Sequence, residues 1–124
     1  MNHQFPFEKL EVWKDAKCFV VRIYDTASNF PANEQYGLTS QIKRAALSVA
    51  SNLAEGGSRT SYKDQAHFSQ LSFSSLMEVA CQLSIATELG ILPHETYQSL
   101  RLDIEAISRK INALRNSQLK RPKG

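Results

Sequence analysis

The fold is decided by residues 38–57, which read LTSQIKRAALSVASNLAEGG. Apolar side chains recur there at steps of three and four residues, at Leu38, Ile42, Ala45, Val49 and Leu53. Such steps place side chains on one face of an α-helix, whereas a half-buried strand requires strict alternation. Asn33 is a residue type that caps helix starts, and glycines such as those at 56–57 end helices in the left-handed conformation. The pattern therefore predicts a helix over residues 34–55.

Three further segments carry the same spacing and predict helices at residues 9–29, 61–89 and 94–117. Their apolar positions are Trp13, Ala16, Val20, Ile23, Ala27 and Phe30; Phe68, Leu71, Leu76, Val79, Ala80, Leu83 and Ala86; and Tyr97, Leu100, Ile104, Ile107, Ile111 and Leu114. Short links join all four helices. The sequence therefore predicts an all-α protein, an up-down-up-down antiparallel four-helix bundle over residues 1–117, followed by a basic flexible tail at 118–124.

Composition restricts the class of protein. A chain of 124 residues with 42% hydrophobic and 22% charged side chains is typical of one globular domain, which excludes a disordered or collagen-like protein. No apolar run approaches the ~18 residues of a membrane-spanning helix. Residues 1–7 contain no Lys or Arg and no apolar core, so they do not read as a secretory signal, and we expect a cytoplasmic protein. Cys18 and Cys81 are the only cysteines, and we expect buried free thiols.

Basic side chains concentrate toward the carboxyl end. Residues 101–124 carry seven basic and two acidic side chains, whereas the first hundred residues carry eight and ten. This asymmetry favours an anionic partner such as nucleic acid, although a solvated helix face with a solubilising tail would have the same composition. Phosphate contacts are predicted for Arg109, Lys110, Arg115, Lys120 and Arg121, with Lys43, Arg59 and Lys63 as a second set.

A polar ridge runs beside the apolar face of residues 34–55. It comprises Gln41, Arg44, Ser48, Asn52, Glu55 and Arg59, and residues 61–89 carry a similar flank at Ser75, Glu78 and Gln82. Such ridges fit either contacts between subunits or ordinary hydrated boundary positions. We assign Arg44, Asn52, Glu55 and Glu78 to the structure or to a subunit interface.

Motifs that carry chemistry are few. Neither a G-x-S-x-G elbow nor a P-loop occurs, and the serines of residues 61–89 are interpreted as small side chains that allow close helix packing.

Asp64 and His67 form one D-x-x-H step, but a di-iron bundle needs a second such pair and two further inward carboxylates, so we expect no metal and no cofactor. Some four-helix ribonucleases of the HEPN class place a His a few residues after an Arg; here seven residues separate Arg59 from His67.

Several blocks together resemble a known family. They are Leu10-Glu11-Val12-Trp13, Phe30-Pro31, Gly37-Leu38, Gln41-Ile42-Lys43-Arg44-Ala45-Ala46, Ser51-Asn52-Leu53-Ala54-Glu55-Gly56 and Ser75-Leu76-Met77-Glu78. They span most of residues 7–115 and resemble the bacterial four helix bundle protein family, which includes the 23S rRNA intervening-sequence proteins and the accessory protein of diversity-generating retroelements. Ala50 departs from the pattern, which favours Pro there, and residues 72–74 depart where the family tends to carry Ala and Gly.

The resemblance implies a bundle that assembles into a homopentameric barrel. It also implies a non-catalytic protein, since the retroelement accessory protein looks to bind nucleic acid and a reverse transcriptase through a basic surface. We therefore expect an oligomer that performs no chemistry, with RNA, DNA, a reverse transcriptase or another protein as partner and no contact with a membrane. A structural scaffold with protein partners alone is the alternative, and a HEPN-like ribonuclease is the third hypothesis.

Overall fold

The computed structural model describes residues 3–121. Four α helices account for most of them: α1 (Glu11–Ala27), α2 (Leu38–Gly57), α3 (Tyr62–Glu88) and α4 (His94–Leu119). Two short 3-10 segments, Pro6–Lys9 and Ala32–Glu34, precede α1 and α2. No strand occurs within the described range, so the all-α prediction is confirmed.

One hydrophobic core joins all four helices. Ile23, Ile42, Leu83 and Leu100, one from each helix, are each at most 1% exposed and belong to the same buried cluster. The predicted apolar stripes of α1, α2 and α4 supply most of this core, and the stripe positions that are only partly buried are Trp13, Val20, Leu38, Tyr97 and Leu114. α2 packs closely on α3, α3 on α4 and α1 on α2, whereas α1 touches α4 only lightly.

The bounds of α2 differ from the prediction at both ends. The helix begins at Leu38 rather than at residue 34, because Gly37 has φ −115° and ψ −109°, which breaks the helical path. Asn33 therefore caps nothing and lies in the 3-10 segment, while the Glu34 carboxylate accepts a hydrogen bond from the Leu38 backbone N–H at 3.4 Å. At the other end the helix continues through Gly57, and neither of its last two glycines has a positive φ.

α4 extends further than predicted. It runs to Leu119, so the first two residues assigned to the flexible tail are helical. The physical reason is a contact with α3, since the hydroxyl of Ser69 donates a hydrogen bond of 2.7 Å to Oε1 of Gln118. The rest of the predicted tail reaches Arg121 within the structure, and residues 122–124 lie outside the described range. The bounds of α1 and α3 fall within one or two residues of those predicted.

The first half of α3 faces the core with small side chains. Ser69 and Ser72 are buried, whereas Phe68, predicted for the core, is half-buried and Leu71 is exposed. Ser72 donates a hydrogen bond of 2.7 Å to the carbonyl of Val49 on α2. The apolar pattern was therefore wrong for this half of α3, while the interpretation of its serines as packing residues is confirmed for these two.

Both thiols are exposed, so the prediction of buried cysteines was wrong. Cys18 lies on α1 and Cys81 on α3, each between positions that the core does bury. An apolar neighbourhood in sequence does not settle burial, because a helix turns about 100° per residue and adjacent residues face different ways.

Candidate nucleic-acid interface

Four predicted phosphate-binding side chains come together at one end of the molecule. Arg59 lies in the link after α2, Lys63 in the first turn of α3, and Lys120 and Arg121 directly after α4. All four are exposed. We call this set the basic end.

Contacts between α3 and the last turn of α4 bring these residues together. The guanidinium of Arg121 lies over the ring of Tyr62, 5.3 Å from its centroid. Nε2 of Gln65 donates a hydrogen bond of 2.9 Å to the carbonyl of Arg59, which ties the link to α3. The hydroxyl of Ser61 caps α3 by accepting a 3.0 Å hydrogen bond from the backbone of Asp64. Local polar contacts thus fix the three chain segments that carry the cations.

The basic end carries uncompensated positive charge. Arg59 forms an ion pair of 2.9 Å with Glu55, and its guanidinium lies over the Phe68 ring, 4.6 Å from the centroid. The other three cations form no ion pair with any carboxylate in residues 3–121. The arrangement therefore presents three unpaired cations and one oriented guanidinium to solvent.

The remaining predicted cations lie elsewhere. Lys110 pairs with Asp15 of α1, and this hydrogen bond raises the pKa of Lys110 above its ordinary value. Arg109 is exposed beside it, about 16 Å along α4 from Lys120 at ~1.5 Å per residue. Lys43 lies near the start of α2, with its ammonium 5.1 Å from the centroid of the Tyr24 ring. These positions separate them from the basic end.

Arg115 is intermediate in both position and exposure. It lies on α4 one turn before Leu119 and is half-buried. Its Nε is buried and has no hydrogen-bond partner within the described residues. Its assignment to phosphate binding stays a prediction.

The polar ridge meets its counterpart on α3. Nδ2 of Asn52 donates hydrogen bonds of 2.9 Å to both the carbonyl and the hydroxyl oxygen of Ser48. That hydroxyl shares a 2.8 Å hydrogen bond with the hydroxyl of Ser75. Asn52 therefore holds a link between α2 and α3, which accounts for its presence without a ligand.

Other members of the ridge have partners on their own helix or none. Glu55 orients Arg59, as described above, and Glu78 accepts a 3.2 Å hydrogen bond from Gln82. Arg44 is exposed and makes no side-chain hydrogen bond or ion pair within the described range. A structural role fits Glu55, and the assignment of Arg44 and Glu78 to a subunit interface stays a prediction.

A pocket of about 290 Å³ opens at the basic end, and we call it the end pocket. Residues that line it include Leu10, Leu53, Tyr62, Gln65, Gln118 and Arg121. The sequence analysis missed this feature, because the pocket exists only where the ends of separate helices meet. The sequence signal for the pocket was limited to Tyr62, Gln65 and Gln118, which interrupt the apolar pattern near the helix ends.

An apolar groove lies on a different face, between α1 and α2. It has a volume of about 310 Å³, and Trp13, Val20, Val21, Leu47 and Ala50 are among its lining residues. Val21 is 65% and Leu47 49% exposed. Exposed apolar surface of this kind marks candidate protein contacts.

The ribonuclease hypothesis concerned Arg59 and His67, and the metal hypothesis concerned Asp64 and His67. His67 is exposed on α3, and no hydrogen bond joins it to Arg59 within the described residues. Between residues 3 and 121, no group of three His, Cys, Asp or Glu side chains is arranged to hold a metal ion. In the same range, none of the helices has both the length and the apolar content needed to cross a bilayer.

Comparison with known proteins gives a family and a fold. The model of the 23S rRNA-intervening sequence proteins matches residues 8–113. A solved protein of unknown function from the S23 ribosomal protein family of Bacteroides thetaiotaomicron VPI-5482 superposes with a TM-score of 0.77, covering 85% of this chain and 95% of that chain. Its sequence is 22% identical, so the likeness supports the fold alone. No curated protein matches this chain.

Proposed function

The chain belongs to the 23S rRNA-intervening sequence protein family, and we propose that it is a non-catalytic protein that binds RNA or DNA through its basic end. One observation carries this proposal. Two stretches that are distant in sequence, residues 59–63 and residues 120–121, place Arg59, Lys63, Lys120 and Arg121 at one end, and three of these cations lack an ion pair within the described residues. Two of the four, Lys120 and Arg121, lie beyond the residues that match the family model.

Phosphate binding explains this arrangement physically. Lysine and arginine that neutralise phosphates release condensed counterions, which gives affinity without sequence reading. The guanidinium groups of Arg59 and Arg121 each lie over an aromatic ring, which holds their planes in place and lowers the entropy lost when they bind a phosphate. Bases of a single strand also stack on aromatic rings near such cations.

The proposal includes the up-down-up-down arrangement of the helices. Between α2 and α3, the position of Gly56 lies against Phe68, whereas Ser48 bonds to Ser75. The later residue of α2 therefore contacts the earlier residue of α3, and the earlier residue of α2 contacts the later one. This order supports an antiparallel arrangement of the two helices.

Assembly into a homopentamer is the second part of the proposal. It follows the family resemblance, and the apolar groove between α1 and α2 supports it by offering surface that a second copy would cover. A ring of basic ends would bind a long strand by avidity, so modest affinity per subunit would suffice. Mass measurement in solution tests this part, because a monomer at the concentration used for binding would overturn it.

Salt titration of binding tests the site. We compare Lys120→Gln/Arg121→Gln with Lys14→Gln/Arg101→Gln, which removes two exposed charges from α1 and from the first half of α4. Each phosphate contact contributes about 0.7 to the slope of log affinity against log salt for a single strand. The first variant is expected to flatten the slope by at least about 1.4 and the second to leave it unchanged. An unchanged slope in the first variant, or equal losses in both, would remove phosphate binding from the basic end.

A protein-only scaffold is the second candidate function, and the apolar groove favours it. The same titration decides between the two, since a scaffold would show no binding to RNA or DNA at physiological salt. Prolonged incubation with RNA tests the ribonuclease hypothesis in parallel. We expect intact RNA, and cleavage that disappears in Arg59→Ala and His67→Ala would instead establish an enzyme.

A further inference from the structure

We propose that the end pocket receives one unpaired nucleobase, so that the protein prefers single-stranded to duplex nucleic acid. This inference rests on the proposed function and names the form of nucleic acid that the basic end takes. It depends on the size of the pocket, on the polar groups that line it, and on the cleft that continues from it.

Size restricts what the pocket can hold. Its volume of about 290 Å³ lies at the lower limit of the roughly 300–1,000 Å³ typical of small-molecule sites, which suits one ring system rather than an extended cofactor. Leu10, Leu53 and Leu114 contribute apolar walls from three different segments, and Tyr62 adds an aromatic ring. An aromatic ring beside apolar side chains favours a planar heteroaromatic group, which can stack on the ring.

Two amide side chains supply the polar edge. Gln65 uses its Nε2 to bond the carbonyl of Arg59, which leaves its Oε1 as an acceptor without a partner among the described residues. Oε1 of Gln118 accepts a hydrogen bond from Ser69, which leaves Nε2 of Gln118 as a donor without a partner among the described residues. The edges of nucleobases present donors and acceptors side by side, and glutamine is one of the residues that pairs with such edges.

A cleft that could hold the sugar-phosphate backbone of the bound strand continues from the end pocket. Arg121 lines the end pocket and also a neighbouring shallow cleft, which Ala113, Asn116, Ser117 and Lys120 line as well. Ser117 is shared by the two. A base in the pocket would therefore leave its phosphate beside Arg121 and the next phosphate beside Lys120.

Duplex nucleic acid does not fit this arrangement. In a duplex the bases are paired and stacked inside the helix, so entry into a side pocket requires that one base be unpaired and unstacked, which weakens binding. A polyglutamate chain would satisfy the cations and could pair with the amides, but it carries no ring to fill the apolar part of the pocket. The combination of cation, aromatic wall and amide edge favours an unpaired nucleotide.

The experiment fills the end pocket with a phenylalanine side chain and, separately, removes bases from the oligonucleotide probe. Ser117→Phe introduces a ring from an exposed position on α4 that lines the pocket, and Asn112→Phe is the matched control on an exposed position of the same helix that lines neither cavity. The probes are a short single-stranded oligonucleotide, its blunt duplex, the same strand with abasic sites, and polyglutamate as an acidic competitor. Binding is measured by fluorescence anisotropy at constant salt.

We expect the unaltered protein to bind the single strand about tenfold more tightly than either the duplex or the abasic strand, since stacking of the base strengthens binding. Ser117→Phe should remove that difference, whereas Asn112→Phe should leave it unchanged. Polyglutamate should compete equally against the single strand and the duplex, because it competes for the cations alone.

Each other outcome overturns the inference in a distinguishable way. Equal affinity of the unaltered protein for normal and abasic strands refutes the base pocket while leaving phosphate binding intact, and this comparison does not depend on the folding of any variant. Retention of the single-strand preference in Ser117→Phe places the base elsewhere. Absence of binding to every nucleic acid, with an intact helical circular dichroism spectrum, overturns the proposed function together with the pocket.

Discussion

Replacing Gly56 by alanine tests the close approach of α2 and α3 beside the basic end. A Cβ built on Gly56 would lie 3.0 Å from the Cβ of Phe68 and 3.5 Å from the backbone oxygen of Gln65. Neither atom is the free end of a flexible side chain, so α3 would have to move away from α2. Overpacking of this kind costs about 1–3 kcal/mol, whereas the higher helix propensity of alanine contributes at most about 1 kcal/mol.

The expected result is a loss of about 1–2 kcal/mol in the free energy of unfolding for Gly56→Ala. Gly57→Ala is the matched control, because a Cβ there would lie 3.4–3.5 Å from the backbone atoms of Phe7, which is ordinary van der Waals contact. Its backbone has no positive φ, so alanine enters without strain. We expect Gly57→Ala to stabilise the protein by about 0.5–1 kcal/mol.

Urea unfolding followed by far-UV circular dichroism measures both effects. The three proteins are compared at one concentration, since self-association would make stability depend on it. With a urea dependence of about 2 kcal/mol per molar, the midpoint of Gly56→Ala should fall by roughly 0.5–1 M. A midpoint at or above that of the unaltered protein would refute the reasoning, because it would mean that the two helices separate at no cost.

Four further predictions follow from individual contacts. Ser72→Ala removes a buried hydrogen bond to α2 and should lower the free energy of unfolding by about 1 kcal/mol, so an unchanged urea midpoint would contradict it. Arg22→Ala removes an ion pair with α4 whose side chains are 40% and 41% exposed; the loss should stay below about 1 kcal/mol, with faster amide exchange in α1 but not in α3. The hydrogen bond with Asp15 raises the pKa of Lys110, so the stability that this pair contributes is present below the ordinary lysine pKa of about 10.4 and is lost as pH rises through the higher pKa of the folded protein. When stability is followed through an alkaline titration, Lys110→Met should not show this loss. Cys18 and Cys81 are exposed, so a thiol reagent should modify both without denaturant, and reaction only after unfolding would contradict this.

The helices could be predicted from sequence where apolar side chains mark the buried face. Ile42, Val49 and Leu53 recur at helical spacing and are all buried, so periodicity alone placed the core of α2. In α3 the same reasoning failed, because Ser69 and Ser72 occupy the buried face and a hydrophobicity pattern does not count serine as core. Close packing of two helices favours small side chains, and their burial becomes evident only when the partner helix is known.

The site was predicted in composition but not in geometry. The concentration of cations toward the carboxyl end indicated Lys120 and Arg121, which the structure places at the basic end. It also indicated Lys110, which instead pairs with a carboxylate 95 positions away in the chain. No local signal separates these cases, because the sequence around a lysine does not identify the residue that lies opposite it in the folded protein.

The family motif and the proposed binding site therefore have different physical roles. Within residues 51–56, Asn52 links α2 to α3, Glu55 orients Arg59, and Gly56 permits the close approach of the two helices. These residues build the end on which the cations lie, so their substitution should lower stability and disturb the positions of the cations. Lys120 is exposed and lies beyond the family match, so its substitution should reduce binding with stability unchanged, whereas substitution of Arg121 also removes the contact with the Tyr62 ring. Since Arg59 and Lys63 lie within the family match and Lys120 and Arg121 beyond it, only part of the charge is encoded separately from the scaffold.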